Sequence, residues 1–140
     1  MKKSLKGFTL IEILVVATII GLLASGAIVS YQQLSKQSRD AKRKTDLEQV
    51  RAALEMYRSN EDTYPVGTWS NLSVLTTPVT YIQSLPTDPK NPTYIYYYSS
   101  ADDSDYTVAT HLETVATTCQ SLTTQCTSNC TYCLGPYGEK

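Results

Sequence analysis

FTLIEILVVATIIGLLASGAIV, residues 8 to 29, decides how the rest of the chain is read. These 22 residues contain no Lys, Arg, Asp or Pro. As a helix rising about 1.5 Å per residue they span roughly 33 Å, enough to cross a hydrocarbon core of about 30 Å. Residence in a membrane, at least for part of the chain's life, is the expectation. One residue runs against it: Glu12, near the start of the run and close to Thr9. A lone carboxylate at the centre of a bilayer helix costs roughly 2.5 to 3.5 kcal/mol, less near an end. A cation on a partner would offset part of that cost.

The flanks of the run disagree about orientation. Lys2, Lys3 and Lys6 precede it, whereas Lys36, Arg39, Lys42, Arg43 and Lys44 follow it and outnumber them. The charge rule applies best to short loops, and the downstream polypeptide is roughly a hundred residues long. It also ends in a Ser/Thr-rich tail with four cysteines, the usage of an oxidising compartment. The amino end is therefore placed in the cytoplasm and the remainder outside. The 12 basic and 13 acidic residues give a net charge of −1, which excludes nucleic-acid binding by bulk charge.

Downstream of the run no proline occurs before Pro65, so a single helix is expected from near Phe8 to about Ser59, about 75 Å long. Its second half, 30–59, changes character. Leu47, Val50, Leu54 and Tyr57 recur at helical spacing with charged residues between them, the pattern of a face that packs on a folded domain. SNEDTYP, residues 59–65, is a stop signal. Pro78, Pro86, Pro89 and Pro92 mark irregular connections, with one short helical turn near Leu72 to Leu75. TYIYYYSS (93–100) and DYTVATHLE (105–113), separated by ADDS, predict two adjacent antiparallel strands covering the helix stripe. The fold class is thus α+β: a long N-terminal helix packed on a small antiparallel head, 60–115, followed by a Cys-rich tail, 116–140.

KGFTLIEILVV resembles the leader junction of type IV prepilins and type II secretion pseudopilins: a basic leader (1–7), Gly before the cut, Phe after it, and Glu as the fifth residue of the processed chain. SRDAKRKTDLEQVRAALEMYRSNEDTYP and YIQSLPTDPKN before a Tyr-rich hairpin are similar to later segments of the same proteins. The resemblance implies cleavage between Gly7 and Phe8 by a prepilin peptidase, N-methylation of Phe8, and pairing of Glu12 with the Phe8 amine of a neighbouring subunit. It implies a single-pass precursor in the inner membrane, then a homo-oligomeric helical filament at the cell surface, driven by an assembly ATPase and a membrane platform. A type IV pilus-like filament is the expected role. A pseudopilin of a secretion or DNA-uptake system is the alternative, with nucleic acid a partner only in the second case. No catalysis and no cofactor are expected. Two features depart from the family pattern: the apolar helix lacks a proline near its end, which would leave any unwinding to Gly21 and Gly26, and the chain ends in a Cys-rich tail where the major secretion pseudopilin has an acidic calcium loop.

Plainer readings stand beside these. The apolar run would serve as a simple anchor for a monomeric extracellular binding module, or as a secretory signal cut behind Ala27, but neither explains Glu12 after Gly-Phe. Cys119, Cys126, Cys130 and Cys133 are spaced poorly for a four-thiolate zinc site, so two disulfides are expected, with all three pairings open. Of the 11 tyrosines, Tyr94, Tyr96, Tyr97 and Tyr98 suggest either a stacking surface or, more simply, alternate packing on the helix. Asp102, Asp103 and Asp105 read as a polar turn before they read as a calcium site. His111 has no Ser or Cys partner by pattern, and the basic run from Lys36 to Lys44 reads as a solvated face with lipid headgroups or DNA as the rival contacts.

Overall fold

The computed structural model describes residues 7–120 and 122–140, and within 27–29 the backbone only. Apart from Gly7, the expected leader lies outside the described residues. The chain forms two compact units, Met1–Lys36 and Gln37–Lys140. One helix, α1 (Leu10–Glu61, 52 residues), supplies the secondary structure of the first and opens the second. It is continuous through Gly21 and Gly26, since no proline removes a backbone donor. It ends at Asp62, whose φ of 58° lies in the left-handed region and whose N–H donates to the Arg58 carbonyl at 2.8 Å.

In the first unit, an 18-residue window of α1 reaches a mean hydropathy of 2.5, long and apolar enough to cross a membrane. From Leu10 to Gly26 every side chain is exposed, so this apolar surface has no partner among the described residues.

The second unit uses α1 differently. Leu47, Val50, Ala53 and Leu54 are buried against a five-stranded antiparallel sheet. Its strands are β1 (Gly67–Thr68), β2 (Tyr97–Ser100), β3 (Thr107–Thr110), β4 (Tyr132–Gly135) and β5 (Gly138–Glu139), hydrogen-bonded in chain order. A 3-10 helix at Trp69–Leu75 sends Leu72 and Leu75 into the same core. Because successive strand side chains point to opposite faces, Tyr98, Val108 and Leu134 enter the helix-side core. Ala109 and Cys133 enter a second cluster with Cys126 and Cys130. Each fully buried leucine or valine stabilises the head by roughly 1.5 to 3 kcal/mol relative to exposure.

The expected hairpin is present, with Tyr98 opposite Val108, though its strands are shorter than the sequence pattern. Three strands were not legible. β1 and β5 are two residues each, and β4 lies in the tail that carries little hydrophobic pattern. β4 is nonetheless buried throughout: it pairs with β3 on one edge and β5 on the other, while Tyr132 and Leu134 pack in the helix-side core and Cys133 in the second cluster.

Candidate functional site

The first turn of α1 places the junction residues. Gly7 and Phe8 precede the helix, and Phe8 is 83% exposed. Thr9 and Glu12 then close a reciprocal pair. The Thr9 N–H and hydroxyl donate to Glu12 Oε2 at 3.1 and 3.2 Å, and the Glu12 N–H donates to Thr9 Oγ1 at 3.3 Å. This is a capping box, T-x-x-E, which satisfies backbone donors left open at a helix start and puts a negative charge where the helix dipole is positive. It occupies Oε2 and leaves Oε1 without a partner among the described residues. The Phe8 nitrogen of the uncut chain is a neutral peptide amide, so nothing described neutralises Glu12. The T-x-x-E spacing of Thr9 and Glu12 is a local sequence signal for this cap.

The basic run of α1 behaves otherwise than a solvated face. Lys36, Lys42 and Lys44 are exposed, but Arg43 is fully buried and Arg39 partly so. Arg43 donates from Nε and Nη2 to Asp88 at 2.7 and 3.0 Å, and from Nη1 to Asp40 at 2.8 Å and Glu113 at 2.9 Å. Arg39 donates both arms of its fork to Glu113 at 2.7 and 2.8 Å, and Lys90 reaches Glu113 at 2.9 Å. The Glu113 and Thr114 N–H groups close the site on Asp40 at 2.9 Å each. Three cations thus meet three carboxylates and tie α1 to the 88–90 and 113–114 segments. The Arg39 fork, with Lys90 and Arg43, holds Glu113 far below the usual carboxylate range against the opposing effect of burial. Burial would raise Asp40, yet the hydrogen bonds it accepts from Glu113, Thr114 and Arg43 lower it. Burial would lower Arg43, and its bonds to Asp88 and Glu113 more than reverse that. Partners 45 and 70 residues apart leave no local sequence signal.

The tail cysteines come together as Cys119–Cys133 and Cys126–Cys130, with Cα separations of 5.9 and 5.4 Å. Tyr96 and Tyr98 enter the core while Tyr97 faces the second cluster; Tyr94 stacks on His111 at 4.4 Å. His111 Nδ1 lies 2.8 Å from the Asn129 carbonyl and 3.2 Å from Ser128 Oγ. Since a carbonyl only accepts, Nδ1 carries the proton and cannot take one from Ser128. Asp102 caps its own turn through Ser104 and Asp105, and Asp105 binds the Lys140 ammonium at 2.8 and 2.9 Å. Among the described residues no group of three or more His, Cys, Asp or Glu is arranged for a metal ion.

The family described as prokaryotic N-terminal methylation motif matches residues 2–28, the segment that contains Gly7, Phe8 and Glu12. The type II secretion system core protein G of Vibrio cholerae serotype O1 is 32% identical over 108 residues, 69% of this chain and 74% of that protein. The chain belongs to the type IV pilin and type II secretion pseudopilin family. The core protein G of Pseudomonas aeruginosa is likewise 32% identical over 107 residues, covering 68% of the chain and 75% of its relative. The type IV major fimbrial protein FimA of Dichelobacter nodosus is 38% identical over 76 residues, 51% of this chain and 49% of its own. No solved structure matches. As a member of this family the chain is a structural filament subunit and not an enzyme. The pilin-like α+β architecture, the methylation motif and a helix long and apolar enough to cross a membrane agree with that assignment.

Proposed function

We propose that this pilin-like subunit is made as a single-pass precursor in the inner membrane with its amino end in the cytoplasm, and is cut between Gly7 and Phe8 by a prepilin peptidase. Phe8 is N-methylated, and an assembly ATPase and membrane platform move the subunit into a filament. There the Glu12 carboxylate pairs with the Phe8 amine of the next copy. The observation that carries the reading is the first turn of α1: a carboxylate bonded to Thr9 through one oxygen with the other open, at the head of a helix whose apolar side chains have no partner among the described residues. Cleavage would turn the neutral Phe8 amide into a cation of the kind the acid lacks. Helix against helix, the exposed apolar faces would leave lipid for one another, and the ion pair would set their register.

A second reading is favoured by a specific observation. The likeness to core protein G takes in 69% of the chain, whereas the likeness to FimA takes in 51%. This supports a secretion-type pseudopilus as the filament. Nucleic acid would be a partner only if the filament served DNA uptake.

The test is the mass of the chain recovered from sheared surface filaments. The expected species begins at N-methylated Phe8. Recovery with Met1 retained, or cut behind Ala27 so that Ile28 leads, contradicts the processing step. Absence of the chain from any sheared filament would leave a monomeric membrane-anchored binding module in its place.

A further inference from the structure

The head carries a cavity of about 530 Å³ that the assembly site does not use. Its walls combine Trp69 and Ile95 with Tyr96 and Tyr97, and its polar rim includes Asn91 and Gln125. Trp69 is half-buried, and its ring lies 5.5 Å from that of the buried Tyr96, tilted by 58°. Gln125 is brought there by the cross-linked tail: the adjacent Cys126 is bonded to Cys130, and its carbonyl accepts from the Ile95 N–H at 3.4 Å.

The charge of this cavity narrows what it holds. Asp88 is the one carboxylate in the lining, and no Lys, Arg or His joins it. Both oxygens of Asp88 are occupied by Arg43 at 2.7 and 3.0 Å, with the Lys90 N–H adding a bond at 2.7 Å. A cation therefore finds no free acid, and an anion finds no base. The neutral polar groups are open by contrast. The Trp69 indole, the Asn91 amide and the Thr87 and Tyr97 hydroxyls make no hydrogen bond to another described residue. Gln125 uses Oε1 to accept from the Thr124 N–H at 3.0 Å and keeps its NH2. A purely apolar ligand would strip water from these groups and leave them unpaired. An extended peptide would need a free strand edge, and the neighbouring edge strand, β1, is two residues long.

A pyranose meets both demands, because its C–H face covers an aromatic ring while its hydroxyls bond to amides. The volume lies within the range of small-molecule sites, roughly 300 to 1,000 Å³. We propose that the cavity bounded by Trp69, Tyr97, Asn91 and Gln125 binds a neutral hexose disaccharide, with Trp69 as the stacking surface and the two amides reading hydroxyls. The site does not depend on the filament reading and is tested on the unassembled chain.

Trp69 is the only tryptophan of the chain, so its emission reports on this cavity alone. The full chain in a zwitterionic detergent without a sugar head is titrated with maltose, lactose and mannobiose, and with sialyllactose as the charged counterpart. At least one neutral disaccharide shifts Trp69 emission saturably. Asn91→Ala and Gln125→Ala each weaken that binding about tenfold at an unchanged melting temperature. The proposal is overturned if none of the three neutral sugars gives a saturable shift or a saturation-transfer NMR signal. Unchanged affinity in both variants overturns it as well, and so does tighter binding of sialyllactose than of every neutral sugar.

Discussion

The two stretches of α1 that belong to different units are built from one unbroken helix and solve opposite problems. From Leu10 to Gly26 the apolar side chains are exposed on every side, whereas from Asp40 to Leu54 a single stripe is buried and the rest is wet. Among the described residues nothing covers the first. The second is complete within the chain. Charge follows the same division. Glu12 is held only by Thr9 at an exposed helix start, while Arg43 is enclosed by three carboxylates. The residue proposed for assembly thus keeps an open oxygen among the described residues, and the residues of the head's charge cluster are satisfied there.

That contrast is broken most forcefully at Arg43. Arg43→Ala leaves the buried Asp88 and Asp40 without their bonded cation, while Glu113 keeps Arg39 and Lys90, and the head should lose about 3 to 5 kcal/mol, the cost of breaking a buried pair from one side. Chemical denaturation followed by tyrosine fluorescence measures it. A loss near zero would mean that the network is solvated and that the head is held by its apolar core alone.

The tail disulfides come next. Removing Cys119–Cys133, with a sequence separation of 14, should cost about 3 kcal/mol by loop-closure entropy; removing Cys126–Cys130, with a separation of 4, about 2 kcal/mol. Paired Cys→Ser variants compared by thermal melting test the order. If the shorter bridge matters more, local geometry and not chain entropy governs the tail.

The smallest effect is acid sensitivity. Glu113 and Asp40 have folded pKa values below their unfolded ones, so the unfolded chain binds more protons and stability rises with pH through that window. Stability should be fully present above the unfolded carboxylate range near about 4 and fall as the pH drops below it toward the lowered folded values. Arg43→Met should flatten that slope, and a slope unchanged by the variant would assign the acid response to other carboxylates.

How much of this was legible in the sequence depended on how far apart the cooperating residues lie. The apolar run, the stripe at Leu47, Val50 and Leu54, the stop at SNEDTYP and the hairpin were readable because their signals are periodic or local. Thr9 with Glu12 is equally local, a T-x-x-E box, but the same acid also carries a membrane cost, so two physical roles overlap on one residue. β4 was hidden because YCLG follows a Ser/Thr/Cys stretch with no alternation, and its faces are covered by two separate clusters, Leu134 by the helix-side core and Cys133 by the cysteine cluster. The Arg43 cluster was hidden because its partners lie 45 and 70 residues away. An arginine among lysines carries no mark that it will turn inward until Asp88 and Glu113 arrive. Gln125 at the cavity rim depends on a disulfide pairing that spacing alone left open.

The capping box makes the assembly site testable with one atom changed. Glu12→Gln keeps an oxygen to accept from Thr9, since Gln serves the same position in a capping box, but it removes the charge offered to the Phe8 amine. The membrane-bound and sheared filament fractions of wild type and Glu12→Gln are compared, with cleavage followed by mass. Docking through charge predicts a variant that inserts and is cut behind Gly7 but loses about 3 kcal/mol or more per contact, so that its filament fraction collapses. Filaments at the wild-type level from Glu12→Gln would reduce Glu12 to a helix cap and contradict the docking role.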